Sequence, residues 1–158
     1  MQYDIVYGDL LDQPVDVIVN AWNRNVIPWW LLLPQGVSGA IKKRGGYQPF
    51  KEVARAGVIP LGGAVYTGAG RLPFKGIIHV AGINMFWRST YKSITGSVLS
   101  AMQIAAQRNI GSIAFPVIGA GSGGFWGYSQ KQALALMEST FAGIESDVQT
   151  RIVIFRRT

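Results

Sequence analysis

Two short segments have the residue types needed to hold phosphate. One is Gly36-Val37-Ser38-Gly39-Ala40-Ile41 and the other is Gly119-Ala120-Gly121-Ser122-Gly123-Gly124. Neither contains an Asp or Glu that would repel an anion. Glycine allows positive φ and lets a ligand come within hydrogen-bond reach of the amides. Consecutive amides then form a concave nest, and a helix N-terminus behind them adds partial positive charge. Two such loops on neighbouring strand ends would grip two phosphates. A tight strand–helix turn beside a flexible loop is the alternative that glycine content leaves open. The second segment is not a Walker loop, because no Gly-Lys-Ser/Thr follows it, and it lies too late in the chain for the dinucleotide fingerprint.

Other chemistries are scarce. The chain has no cysteine, which removes disulfides, thiolate metal sites and cysteine nucleophiles together. Its one histidine, His79, excludes a multi-histidine metal site, so neither a metal nor a cofactor is expected.

The loops need strands to present them. Val15 to Val19 is dense in β-branched residues and reads as a buried strand ending at Asn20-Ala21-Trp22-Asn23. Residues 3–7 read as a short first strand, with a turn at Asp12 to Pro14. Gly36 to Lys43 reads as a loop feeding a helix start, with Lys42 and Lys43 past the loop on the helix, and a second short helix is expected over Pro49 to Ala56. Gly62 to Tyr66 and Gly76 to Val80 are strand candidates. Tyr91 to Arg108 repeats apolar residues at helical spacing. Ser112 to Ile118 is a further buried strand. Ser129 and Gln132 form a capping box opening a helix through Phe141, and Arg151 to Phe155 closes the chain as a strand. Alternation of strands and helices gives an α/β layered fold with a mostly parallel sheet. Ligands of such sheets sit at the carboxyl ends of strands, where both glycine segments fall.

The length of 158 residues fits one domain with a full core, and no linker or repeat divides it. At 49% apolar and 15% charged residues, the chain is not disordered. Its longest apolar run, from Val26 to Pro34, is far short of the ~20 residues that span a bilayer. Met1-Gln2-Tyr3-Asp4 does not open a signal peptide. A cytoplasmic monomer without a membrane partner is the expectation. The net charge of +7 favours anionic partners. Lys42, Lys43 and Arg44 form one cluster, read as a solvated face. Arg151, Arg156 and Arg157 form another.

With these motifs in order, the sequence resembles the macrodomain family, whose members bind ADP-ribose. Gly8-Asp9-Leu10 looks like the family's Gly-Asp-Ile, and Val19-Asn20-Ala21-Trp22-Asn23 like its Val-Asn-Ala-Ala-Asn. Gly36 to Ile41 is similar to Gly-Val-Asp-Gly-Ala-Ile, and Ile78-His79-Val80-Ala81-Gly82 to the Ile-His-Thr-Val-Gly strand. Pro116 to Gly121 matches the second phosphate loop. The resemblance spans residues 1 to about 155 and implies one macrodomain over residues 1–158. That fold is a three-layer α/β/α arrangement around a mixed, mostly parallel sheet.

The resemblance also implies roles. Asp9 would accept from the adenine amino group, the Leu10 amide would meet the ring, and Phe155 would stack on it. Gly36, Val37 and Gly39 would line one phosphate; Gly119, Ala120, Gly121 and Ser122 would line the other. Asn23 would bond the distal ribose hydroxyls. Asn20 would be a further ligand contact. Bland readings stand beside these: Asp9 as a turn or helix cap, Phe155 and His79 as core, and Asn20 as a buried residue bonding backbone. Three departures matter. Ser38 replaces the aspartate thought to position the attacking water in hydrolytic members. Gly123 replaces an aromatic under the distal ribose, a space Phe125 or Trp126 could fill. Residues 27–35 replace a glycine run with Pro, Trp and Leu.

The implied activity is metal-independent hydrolysis of ADP-ribosyl groups from modified protein or nucleic acid, with Asn23 and Ser38 as catalytic residues. The alternatives are a non-catalytic reader of ADP-ribose or a related metabolite, and a nucleic-acid-binding domain driven by the basic surface.

Overall fold

The computed structural model describes residues 1–22, 36–82, 90–119 and 128–156. Its elements, in chain order, are β1 (Asp4–Gly8), a 3-10 turn (Leu10–Asp12), β2 (Val17–Trp22), α1 (Gly36–Gly45), α2 (Gln48–Arg55), β3 (Ala64–Thr67), β4 (Gly76–Ala81), α3 (Tyr91–Gln107), β5 (Ser112–Pro116), α4 (Gln130–Ala142) and β6 (Gln149–Phe155). The strands form one sheet in the order β1-β6-β5-β2-β4-β3. All neighbours are parallel except β3, which runs antiparallel to β4 along one edge. The sheet is therefore mixed and mostly parallel, as expected.

Period-two alternation sends each central strand's side chains to two different cores. Val17 and Val19 of β2, with Ile78 and Val80 of β4, pack under α3 and α4 against Val98, Met102, Met137 and Phe141. Ile18 and Trp22, with Ile77 and Ala81, pack on the other face under Ile41 of α1 and Phe50 of α2. Helices cover both faces, which explains why β2 and β4 read as continuous apolar runs.

Capping residues set the later helices. Ser129 and Gln132 form the expected capping box before α4. Thr90 and Ser93 form a second one before α3, with a serine hydroxyl in place of the usual Glu or Gln.

Three boundaries differ from the expectation in instructive ways. The second strand starts at Val17 rather than Val15, because Asp16 ties loops instead of pairing in the ladder. Its carboxylate accepts from Gly111 N at 3.0 Å, its N–H donates to Ser112 Oγ at 2.8 Å, and its carbonyl accepts from Lys75 N at 2.7 Å. The strand runs on to Trp22 because Asn20, Ala21 and Trp22 pair with His79, Val80 and Ala81. Residues 36–39, expected as loop, are already the first turn of α1.

The Ser97 hydroxyl on α3 is fully buried and has no hydrogen-bond partner among the described residues. An unmade buried bond costs free energy, and Ala is the better helix former. Ser97→Ala is expected to raise stability by about 1 kcal/mol, or ~2–4 °C in melting temperature. Calorimetric melting checks it, and a lowered midpoint refutes it.

Candidate functional site

The carboxyl ends of the parallel strands form one rim, and the sheet order fixes what stands along it. At the β1 end, Asp9 follows Gly8, whose register partner on β6 is Phe155. Asp9 caps the 3-10 turn, with Oδ1 accepting from Leu11 N at 2.9 Å. Its other oxygen lies 3.9 Å from the Arg44 guanidinium, which also reaches Asp12 at 3.0 Å. These are exposed pairs and add little stability. Leu10 is buried beneath the turn. Phe155 is 68% exposed, so it is not core.

Next along the rim, β5 leads to Gly119. Its φ of +86° is a left-handed conformation that favours glycine. The chain therefore turns sharply straight after the strand. Ala120, Gly121, Ser122, Gly123 and Phe125 lie outside the described residues, as does Asn23.

Neighbouring β2 ends at Trp22, and α1 begins at Gly36. The amides of Gly36, Val37, Ser38 and Gly39 occupy the first turn of α1, where a helix leaves its N–H groups without internal acceptors. That turn carries the positive end of the helix dipole. β2 and β5, which leads to Gly119, are adjacent parallel strands. From β1 to β2 the rim spans three strand spacings, about 14 Å.

Beneath the first turn of α1 lies a buried polar chain. Ser38 Oγ donates to Asn20 Oδ1 at 2.9 Å. Asn20 Nδ2 donates to His79 Nδ1 at 3.1 Å, and His79 Nε2 meets Thr67 Oγ1 at 2.9 Å. Asn20 and His79 are fully buried. Burial pushes the imidazole pKa down to about 3, so it is neutral. The expectation for His79 as core is met in burial. Asn20 is buried too, but these side-chain bonds go to Ser38 and His79.

Lys42 corrects the expectation of a solvated cluster. It is only 5% exposed. Lying four residues after Ser38, it sits on the same face of α1. Its ammonium stands 5.1 Å from the Trp22 ring centre and 4.7 Å from that of Phe50. Burial lowers its pKa. Sequence reading grouped it with Lys43 and Arg44; its helical spacing from Ser38 was the signal that separates it.

Among the described residues, no group of three or more His, Asp or Glu side chains is placed to hold a metal ion. No described helix is long and apolar enough to cross a membrane.

Comparison with known proteins places this architecture. The Klebsiella pneumoniae (strain 342) protein named O-acetyl-ADP-ribose deacetylase is 35% identical over 148 residues, covering 89% of this chain and 79% of that protein. An Oceanobacillus iheyensis macrodomain solved with ADP superimposes with a TM-score of 0.80 at 28% identity, covering 97% of this chain and 82% of that one. A mutant of the same protein with ADPR gives a TM-score of 0.79 at 28% identity, covering 96% of this chain and 83% of that one. The family model described as Macro domain matches residues 19–137, from within β2 into α4 and so across both glycine segments. The chain therefore belongs to the macro domain family.

Proposed function

We propose that the rim binds ADP-ribose and that the protein hydrolyses ADP-ribosyl groups from modified protein or nucleic acid. The order of groups along the sheet carries this reading. Asp9 and Phe155 stand at one end, Gly119 in the middle, and the first turn of α1, with both its amides and Ser38, at the other. Adenine, diphosphate and distal ribose follow one another in the same sequence. The Asp9 carboxylate accepts from the adenine amino group, and Phe155 stacks on the ring. The amides of Gly36, Val37 and Gly39 face one phosphate; Gly119, Ala120, Gly121 and Ser122 face the other. Gly123 and Phe125 border the distal ribose, whose hydroxyls Asn23 holds.

The chemistry is attack of water on C1″ of that ribose. The bond to the carrier breaks, and the carrier leaves with a proton. Positive charge develops on the sugar ring, and binding of the remote diphosphate supplies energy for its distortion. Ser38 orients the water beside Asn23, but a serine hydroxyl is a poor base at neutral pH. That weakness favours a second reading, a non-catalytic reader of ADP-ribose. The names of the relatives and the ligands of the solved neighbours support the nucleotide, and the deacetylase name supports hydrolysis.

Calorimetry with ADP-ribose, ADP and AMP tests the ligand, and absence of heat with ADP-ribose refutes it. Release of ADP-ribose from modified protein or nucleic acid, lost in Asn23→Ala, tests the chemistry. Tight binding without release leaves the reader.

Phe155→Ala is expected to remove an aromatic stack of about 1–3 kcal/mol, weakening binding ~5- to 150-fold. The loss should be equal for ADP-ribose, ADP and AMP, since all three carry adenine. Unchanged dissociation constants would remove Phe155 from the site.

A further inference from the structure

The polar chain under α1 has a direction, and its far end sets it. Thr67 Oγ1 lies 2.9 Å from the Gly68 carbonyl, which can only accept. The Thr67 proton is therefore committed to that carbonyl. The same oxygen lies 2.9 Å from His79 Nε2, so the ring must donate there. A neutral imidazole with its proton on Nε2 has a bare Nδ1, which must accept. The group facing Nδ1 at 3.1 Å is then the NH2 of Asn20, and this fixes the Asn20 amide orientation. The amide oxygen is left facing Ser38 Oγ at 2.9 Å, so the serine donates to it. Each step excludes its reverse, because one terminal carbonyl cannot supply a proton.

We propose that the Gly68 carbonyl, acting through Thr67, His79 and Asn20, locks Ser38 as a hydrogen-bond acceptor toward whatever the rim binds. Thr67 and His79 are positioning residues for the water that Ser38 holds. The hydroxyl proton of Ser38 is spent on Asn20, leaving oxygen lone pairs for a donor. Such a group suits a water or a ribose hydroxyl and does not suit a phosphate oxygen. A water that gives one proton to Ser38 is turned so that its own lone pair faces away, as attack on C1″ requires. The catalytic consequence rests on the hydrolase reading; the polarity of the chain does not.

His79 is the only histidine, so imidazole nitrogen NMR of histidine-labelled protein reports on it alone. The expected spectrum shows a neutral ring with its proton on Nε2. A proton on Nδ1 overturns the proposal outright, whatever the protein binds. Thr67→Val removes the hydroxyl that receives the Nε2 proton and should perturb this tautomer. It should also lower kcat for ADP-ribose release at least about tenfold, since misplacing a positioned group costs rate rather than binding. The ADP-ribose dissociation constant should stay within about twofold, because the diphosphate amides are untouched. Thr67→Ser restores the hydroxyl and should restore kcat; this conservative variant also guards against a folding defect. A kcat for Thr67→Val equal to wild type, or no rescue by Thr67→Ser, refutes the positioning role. If wild type binds ADP-ribose but releases none, the hydrolase reading fails. The tautomer in wild type and its response to Thr67→Val then decide the chain polarity alone.

Discussion

Acidification from pH 7 to pH 4.5 is expected to cost the fold about 2–3 kcal/mol through His79 alone. The sign follows from the two pKa values. The unfolded imidazole titrates near 6.5, and the folded one is held at about 3 by burial. Above pH 6.5 both states are neutral, and His79 makes no pH-dependent contribution. Below it the unfolded chain takes up a proton that the folded chain refuses, so stability falls by ~1.4 kcal/mol per pH unit. The decline stops near pH 3, where the folded ring is protonated as well. Among the described residues, Asn20 and Thr67 hold His79, and the Phe50 ring stands 5.6 Å away edge-on. Nothing there rewards a positive charge. Urea unfolding of wild type and His79→Gln, measured across pH 3.5–7.5, isolates the effect, since every carboxylate is common to both. The variant should be the less stable protein at pH 7, because it breaks a buried chain. The gap should then narrow by about one proton's slope as pH falls. Parallel curves across that range would refute the assignment.

The same residue shows what the sequence can and cannot say. His79 reads as core because it lies in an apolar run, and it is core. Its partners could not be read, since Asn20, Ser38 and Thr67 come from three other segments that meet only when β2, β3 and β4 pair. Asn20 marks the limit clearly. Asparagine is a poor strand former, so the pattern ends the second strand before it. In the structure the strand continues to Trp22, because Asn20 has a cross-strand neighbour, His79, that satisfies its amide. Gly36 and Gly39 mislead in the same way. Both are weak helix formers, so their turn reads as loop, yet it is the start of α1. Cores were legible where apolar runs were continuous, as in Val17 to Val19 and Ile77 to Val80. Pairing β1 with β6, from opposite ends of the chain, has no local signature. That pairing is what sets Asp9 beside Phe155.

Phe50→Ala is expected to lower stability by about 3–5 kcal/mol, and with it the grip on ligand. Phe50 is fully buried on the α1/α2 side of the sheet. Its ring centre lies 4.9 Å from that of Trp22 and 5.6 Å from that of His79, and the Lys42 ammonium stands 4.7 Å above it. Removing the ring leaves a cavity against all three. A buried cation loses an aromatic face, and water entering the void would let the Lys42 pKa rise toward its ordinary value. Trp22 directly precedes Asn23, and His79 holds Asn20, so both supports of the distal end loosen together. Phe115→Ala is the matched control. Phe115 is equally buried, but it packs edge-on against Phe141 on the opposite face of the sheet. Both variants should lose similar stability in urea, leaving only part of the ~5–15 kcal/mol typical of a domain. Only Phe50→Ala should also lose the rise in melting temperature expected of wild type with saturating ADP-ribose. Equal loss of that ligand-induced rise in both would show that the site senses global stability rather than the Trp22–Phe50–His79 support. A destabilisation below about 1.5 kcal/mol in Phe50→Ala would show that the cavity collapses and the support is not rigid.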